Sequence, residues 1–241
     1  MLESRSRNNG LMLDIQENVE RVRAAIERAC LRSGRDPREV LLIAVSKTVD
    51  LDRIRLAVDA GVPALGENRV QEAKDKVALL GHPVPWHLVG SLQTNKARDA
   101  VRLFDWIQSV DRLELARELD SRARAAGRVV EALLQVNVGE EPQKGGVAPA
   151  EMKAVLDAAA ALPGLRIRGL MTIPPLGPDA EAARPHFRRL RGLRDAAGLP
   201  HLSMGMSGDF EVAIEEGATM VRVGTAIFGP RQRPAPGRAA L

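Results

Sequence analysis

Apolar and polar positions follow one repeating order along most of the chain. A short apolar run comes first, then a turn rich in Gly, Ser or Asn, and then a charged stretch with helical spacing. The apolar runs lie at residues 40–45, 62–66, 86–90, 104–109, 129–137, 166–171, 201–206 and 219–223. Ahead of them, apolar residues spaced three or four apart, from Ile15 to Ile26, predict an amphipathic helix over 11–34. Strands that alternate with helices in this way predict a parallel sheet covered by helices.

The number of repeats indicates the fold class. Eight βα units in a chain of 241 residues predict a single (β/α)8 TIM barrel with an extra N-terminal helix. The alternative is an open doubly wound sheet, but the turn after the first strand, AVSKT, lacks the glycine-rich dinucleotide fingerprint. No long linker divides the chain, so we expect one domain over residues 11–230. Residues 1–10 and the basic, proline-rich residues 231–241 are expected to be flexible.

Composition narrows the function classes. The longest unbroken apolar run, at 40–45, is far shorter than the roughly 20 residues that cross a bilayer. The polar N-terminus does not resemble a secretory signal, so we expect a cytoplasmic protein that does not associate with membranes. The 35 basic and 31 acidic residues are interleaved, which argues against a nucleic-acid-binding surface. One cysteine and four histidines without ligand spacing predict no metal site.

The C-terminal ends of the strands form the active-site end of such a barrel. The candidate residues there are Ser46, Lys47 and Thr48, Glu67 and Asn68, Ser91, Gln93 and Asn95, Gln135 and Asn137, Met171 and Thr172, Ser207 and Asp209, and Arg222, Gly224 and Thr225. Lys47 is the most informative, because burial would lower its pKa and leave an amine that can form a Schiff base with an aldehyde. A lysine that extends into solvent from the strand end is the alternative, and position alone favours it. The five other lysines, including Lys76, are expected to be surface charges.

Two strand-to-helix turns add a second signal. The segments MGMSGD at 204–209 and RVGTAIFG at 222–229 each offer glycine N–H groups and a hydroxyl, Ser207 or Thr225, where a helix begins. Such turns suit a phosphate, although glycine can also serve only the turn, and serine only the cap. Two adjacent turns opposite Lys47 favour a phosphorylated aldehyde. Arg222, inside an apolar strand, needs a partner, which is a structural carboxylate by default and otherwise a ring nitrogen or phosphate of a ligand.

These motifs resemble the pyridoxal phosphate homeostasis protein family, also called YggS/PROSC. The matching segments are AVSKT at 44–48, GENRVQE at 66–72, WHLVGSLQTNK at 86–96, GLMTIP at 169–174, LSMGMSGDFEVAIEEG at 202–217 and VRVGTAIFG at 221–229. The similarity runs from the N-terminal helix to Gly229.

The resemblance implies the fold of the alanine racemase N-terminal domain, with pyridoxal 5′-phosphate (PLP) joined to Lys47 as a Schiff base. By motif position, the implied cofactor-binding residues are Ser207, Gly224 and Thr225 at the phosphate, Arg222 at the pyridine nitrogen, and Asn68 and Met204 along the pocket. The implied role is intracellular PLP homeostasis, by buffering the cofactor or delivering it. The implied partners are PLP-dependent apoenzymes or enzymes of the vitamin B6 pathway, and we expect a monomer or weak dimer.

Two enzyme readings compete with a carrier that turns over no substrate. An arginine at the pyridine nitrogen is a poor proton donor, so the ring would be a weak electron sink. A racemase also needs a second acid/base, which in the alanine racemase family is a tyrosine delivered with an additional domain, and the chain contains no tyrosine. An aldolase-like lyase would keep the Schiff-base lysine and use the two turns to hold a sugar phosphate.

Overall fold

Eight parallel strands close into a barrel in chain order. The computed structural model describes the backbone of residues 2–230 and the side chains of residues 14–230. The strands are β1 (Leu41–Val45), β2 (Ala64–Glu67), β3 (Trp86–Leu88), β4 (Trp106–Val110), β5 (Val130–Gln135), β6 (Leu165–Met171), β7 (His201–Met206) and β8 (Met220–Val223). Each lies in or overlaps one of the eight apolar runs, so the predicted (β/α)8 barrel is confirmed and the open sheet is excluded.

Helices separate successive strands. Their bounds are α1 (Leu2–Arg32), α2 (Leu51–Asp59), α3 (Val70–Leu80), α4 (Ala97–Leu103), α5 (Leu113–Ala125), α6 (Met152–Ala159), α7 (Arg184–Ala196), α8 (Phe210–Glu215) and α9 (Thr225–Phe228). Short 3-10 helices lie at Pro37–Glu39, Thr94–Lys96 and Glu181–Ala183. No helix in residues 2–230 is both long and apolar enough to cross a membrane.

The extra N-terminal helix, α1, lies across the junction of the first and last barrel units. Its buried stripe, from Ile15 to Ile26, faces α2, α8 and α9. The helix begins at Leu2 and includes residues 2–10, whereas the sequence predicts a start at 11; the expected flexibility of this segment stays a prediction. The polar residues there carry no apolar stripe, but their intrinsic cost in a helix is only about 1 kcal/mol or less each. The basic segment 231–241 lies outside the described residues.

The apolar side chains of the strands divide between two hydrophobic clusters. Ile43, Ala64, Leu133, Met171 and Met220 form a small cluster inside the barrel. Their strand neighbours, such as Leu42, Leu65 and Val221, belong to the large cluster between the strands and the helices. Successive side chains of a strand point to opposite faces. The position of a residue within its strand therefore decides whether it reaches the barrel interior or the helix layer.

Glycine allows two neighbouring strands to approach at β6 and β7. Gly169 pairs with His201 in the ladder, and a Cβ at Gly169 would overlap the carbonyl oxygen of His201. Gly192, in the middle of α7, is exposed and has no atom near its Cβ position. The two glycines therefore differ in the one respect that decides whether a methyl group fits.

We expect Gly169→Ala to lower the free energy of unfolding by about 1–3 kcal/mol, because the strands must move apart to admit the methyl group. Gly192→Ala should raise it by about 0.5–1 kcal/mol, because alanine is the better helix former. Urea unfolding of both variants measures the two changes. Equal effects of the two substitutions would contradict the strand contact.

Candidate functional site

A cleft of about 250 Å³ opens where β1, β7 and β8 end. Its walls come from the C-terminal ends of these strands, from the loops that follow them, and from the first turn of α2. Five of the seven sequence-predicted cofactor residues line it: Lys47, Ser207, Arg222, Gly224 and Thr225. The predicted amine, the buried arginine and both predicted turns therefore meet at one place.

Two predicted residues, Met204 and Asn68, do not line this cleft. Met204 is fully buried in the large cluster under the helices, whereas the side chain of Ser203 contacts Arg222 inside the barrel. Strand alternation thus turns Met204 away from the interior, and Met206 is the methionine that reaches the cleft. Asn68 follows β2, is half-buried, and has a buried Oδ1 with no hydrogen-bond partner among the described residues.

Lys47 follows the strand whose inward residues are Leu41, Ile43 and Val45. It is half-buried and lines the cleft together with Val45. The next residue, Thr48, has φ +61°. Residues with a branched Cβ rarely adopt this left-handed conformation. The chain therefore turns sharply directly after the lysine, in a conformation that the surrounding structure must hold.

Arg222 is a buried cation held by neutral oxygens. Its side chain lies inside the barrel, where Nη1 donates to Ser203 Oγ over 2.7 Å and Nη2 donates to the Thr172 carbonyl oxygen over 2.8 Å. The carboxylate partner that the sequence suggested by default is not found, and Asp209 acts on Arg222 only through its charge, without an ion pair among the described residues. Burial lowers the pKa of Arg222 to about 10, so the guanidinium stays positive at neutral pH.

A chain of hydrogen bonds continues from Arg222 across the barrel interior. The Ser203 hydroxyl donates to Gln108 Oε1 over 2.6 Å, and Gln108 Nε2 lies 2.9 Å from His87 Nδ1. His87 stacks on Trp106 with 5.8 Å between ring centroids, and burial lowers its pKa to about 3. His87 is therefore a neutral, hydrogen-bonded interior histidine and lies away from the cleft lining.

The turns after β7 and β8 are joined by Ser207. Its Oγ accepts the backbone N–H of Gly224 over 3.2 Å and that of Ala226 over 3.3 Å. With its oxygen used as an acceptor, the hydroxyl can still donate its proton to a ligand. A Cβ at Gly224 would make a tight contact of 3.1 Å with the Val45 carbonyl oxygen, and without it this part of the wall is bare backbone.

Arg53 also lines the cleft, although it is not among the residues predicted from the sequence. This residue lies in the first turn of α2, where Asp50 caps the helix by accepting the Arg53 backbone N–H over 3.0 Å. Its guanidinium donates to the Phe228 carbonyl oxygen, while its Nε is buried without a partner in the described part of the chain. The sequence signal that could have identified it is its position three residues after Asp50, the helix cap that follows β1.

Two residues that were expected elsewhere form a buried ion pair behind the cleft. Glu67, predicted at the barrel mouth, is fully buried and faces α3, and Lys76, predicted as a surface charge, is only 7% exposed. Lys76 Nζ lies 2.6 Å from Glu67 Oε1. Burial raises the pKa of Glu67 even though Lys76 opposes the shift. Glu67 is the last residue of β2 and occupies an outward position there, which explains why it meets the helix layer.

Comparison with known proteins shows the family of the chain. The model of the alanine racemase N-terminal domain matches residues 14–232. A protein of Aquifex aeolicus (strain VF5) is 46% identical over 223 residues, which cover 90% of this chain and 98% of that protein. A protein of Pseudomonas aeruginosa is 47% identical over 230 residues, which cover 93% and 99%. Both are named pyridoxal phosphate homeostasis protein.

The chain belongs to the pyridoxal phosphate homeostasis protein family. A solved member, PipY of Synechococcus elongatus PCC7942 with PLP bound, is 44% identical and superposes with a TM-score of 0.76, covering 89% of this chain and all of PipY. The family that the motifs resemble, and the alanine racemase type of barrel that they imply, are confirmed.

We expect neutral His87 to make the fold sensitive to acid. Because the folded-state pKa of about 3 lies below the ordinary 6.5, the stability it contributes is full above pH 6.5 and is lost as pH falls towards 3. Urea unfolding between pH 7 and pH 5 should show a slope that His87→Gln reduces by up to about 1.4 kcal/mol per pH unit. The exposed His82→Gln is the control, and an unchanged slope in His87→Gln would contradict the buried neutral state.

Proposed function

We propose that the chain binds PLP in the cleft between β1, β7 and β8, carries it as a Schiff base on Lys47, and acts in intracellular PLP homeostasis without turning over a substrate. The observation that carries the proposal is the meeting of Lys47, Arg222 and the Ser207–Gly224–Thr225 turns in one cleft. Family membership and the PLP-bound relative PipY support it.

The donor set of the cleft fits the three polar parts of PLP. Lys47 supplies an amine for the aldehyde, and Arg222 supplies a hydrogen-bond donor for the pyridine nitrogen. The phosphate matches the Ser207 hydroxyl, the bare backbone at Gly224, the Thr225 hydroxyl and the nearby cation of Arg53. When bound, PLP supplies an aldehyde that bonds reversibly to amines and a ring that withdraws electrons. The buried, unpartnered Oδ1 of Asn68 keeps that residue as a candidate for the pocket rim.

Arg222 favours a carrier over a carbanion enzyme. A guanidinium stays protonated even with its pKa lowered to about 10, so it donates a hydrogen bond to the pyridine nitrogen without giving up its proton. The ring nitrogen then stays without a proton, and the ring draws electrons less strongly. Buffering of PLP, or its delivery to cytoplasmic apoenzymes or to enzymes of the vitamin B6 pathway, needs only the reversible bond to Lys47.

Lys47→Ala should abolish borohydride-fixed PLP and leave the fold intact, because the side chain stands at a strand end beside open space. Lys47→Arg keeps the charge but cannot form the Schiff base, so it should fail equally. The measurement is mass mapping of the reduced protein after incubation with PLP, with the exposed Lys74→Ala as the control. Label that persists at wild-type level in Lys47→Ala would contradict the assignment. Conversion of L-alanine to D-alanine by the loaded protein would contradict the absence of turnover.

Ser207→Ala combined with Thr225→Val should weaken binding of PLP about tenfold or more, since each substitution removes a hydrogen bond to a charged phosphate. Binding of pyridoxal, which has no phosphate, should hardly change. Equilibrium dialysis against both compounds measures the difference. An equal loss of affinity for PLP and pyridoxal would mean that the turns do not hold the phosphate.

A further inference from the structure

Lys76 is the centre of a buried cluster on the side of β1 and β2 that faces α3. Its ammonium lies 2.6 Å from Glu67 Oε1, 2.7 Å from Glu72 Oε1 and 2.6 Å from the Ser46 carbonyl oxygen. All three donor hydrogens of the ammonium therefore have partners. Glu67, Glu72 and Lys76 are called the α3 clamp below.

The clamp holds both residues that flank Lys47. On one side, Ser46 presents its carbonyl oxygen to Lys76, and its hydroxyl donates to Glu67 Oε1 over 2.6 Å. On the other side, the Thr48 backbone N–H donates to Glu72 Oε1 over 2.5 Å. The peptide groups before and after Lys47 are thus tied to the same three charged side chains.

The backbone turn at Lys47 and Thr48 needs the restraint that these contacts provide. Thr48 has φ +61°, a left-handed conformation that a β-branched residue rarely adopts and that persists only where the surroundings impose it. The Thr48 N–H bond to Glu72 opposes its relaxation, together with the Val49 N–H bond to the Ser46 carbonyl oxygen over 3.0 Å. If this turn relaxed, the direction in which Lys47 leaves the backbone would change with it.

The composition of the clamp indicates a role beyond stability. A buried ion pair contributes little more to stability than apolar side chains of the same size, and α3 already buries Val70 and Ala73. Three of the clamp's contacts go to backbone or hydroxyl groups of Ser46 and Thr48. The contacts of these charged side chains therefore fix the turn that carries Lys47.

We propose that Glu67, Glu72 and Lys76 are positioning residues, which orient the Lys47 amine for bond formation with the aldehyde of PLP without touching the cofactor. The proposal rests on the proposed function. In that bond formation the Lys47 ammonium would first lose one proton to solvent, the Nζ lone pair would bond to the aldehyde carbon, and the aldehyde oxygen would leave as water together with the two hydrogens of the neutral amine. No oxidant or reductant takes part.

The test compares substitutions that cut the clamp with matched ones that spare it. Lys76→Met keeps the length and packing of the side chain and removes its three bonds, while Lys74→Met changes an exposed lysine on the same helix. Glu72→Ala removes the acceptor for Thr48, while Glu72→Gln keeps an oxygen there. Two quantities are measured: hydrogen exchange of the Thr48 amide in the cofactor-free protein, and the rate of borohydride-fixed PLP attachment to Lys47 beside total bound PLP.

Lys76→Met and Glu72→Ala should speed exchange of the Thr48 amide and slow attachment to Lys47, each about tenfold or more, because a small misplacement of a reacting group costs a large factor in rate. Total PLP bound should stay within about twofold, since the opposite wall at Ser207, Gly224 and Thr225 is not in contact with the clamp. Lys74→Met should behave like the wild type, and Glu72→Gln should restore most of what Glu72→Ala loses.

Each contrary result has a separate meaning. Unchanged Thr48 exchange in Lys76→Met and Glu72→Ala would overturn the clamp, and faster exchange with an unchanged attachment rate would overturn the positioning role. Glu72 is partly exposed, so Glu72→Ala decides the question if Lys76→Met does not fold. A folded wild-type protein that never fixes PLP on Lys47 would overturn the proposed function and the positioning role together, while Thr48 exchange would still report whether the clamp exists.

Discussion

In a closed parallel barrel, each strand can turn only every second side chain inward, and all strands end at the same rim. This constraint decides what each polar residue near the cleft can do. On β8 it places Arg222 inside, and on β7 it places Ser203 inside and Met204 outside. At the ends of β1 and β2 it directs Ser46 and Glu67 to α3, while Lys47 lines the cleft. Residues that face the cleft and residues that contact α3 are therefore neighbours in the chain, as at Lys47 and Ser46.

The distribution of charge follows the same division. The cleft carries Lys47 and Arg222 from the strand side and Arg53 from α2, and Arg222 has only neutral oxygens as direct partners among the described residues. Burying a guanidinium without a carboxylate partner costs free energy, and an electron-rich ligand bound in the cleft would offset that cost. The outer side holds the acidic groups Glu67 and Glu72, which share the ammonium of Lys76. The cleft therefore stays positive while the backbone behind it is held by paired charges.

The fold could be predicted from the sequence because its signal is repeated eight times. Apolar runs of strand length, each followed by a turn and a helix, leave few architectures, and closure adds no residue-specific requirement. The five cleft residues were also predictable, since the ends of β1, β7 and β8 must meet in such a barrel. Met204 was assigned from a motif, although alternation from the inward Ser203 turns it outward. Strict alternation would turn Met206 outward as well, and the register shift between Ser203 and Met206 is what lets Met206 reach the cleft.

Local sequence patterns could not predict which residues, distant in the chain, contact Lys76 and Arg222. Lys76 resembles any charged residue of an exposed helix face, and only its spacing of three from the buried Ala73 hinted that it lies on the inner side of α3. The partners of Arg222 come from residues 172 and 203, on other strands or just beyond them, so no local pattern could replace the expected carboxylate. The left-handed conformation of Thr48 could not be predicted either, because threonine rarely adopts it.

The most direct test of the account is the crystal structure of the protein grown with PLP. The account predicts electron density that runs unbroken from Lys47 Nζ into the cofactor, with the pyridine nitrogen at Arg222 and the phosphate within hydrogen-bond distance of Ser207 and Thr225. PLP bound outside this cleft, or joined to another lysine while Lys47 stays unmodified, would contradict it.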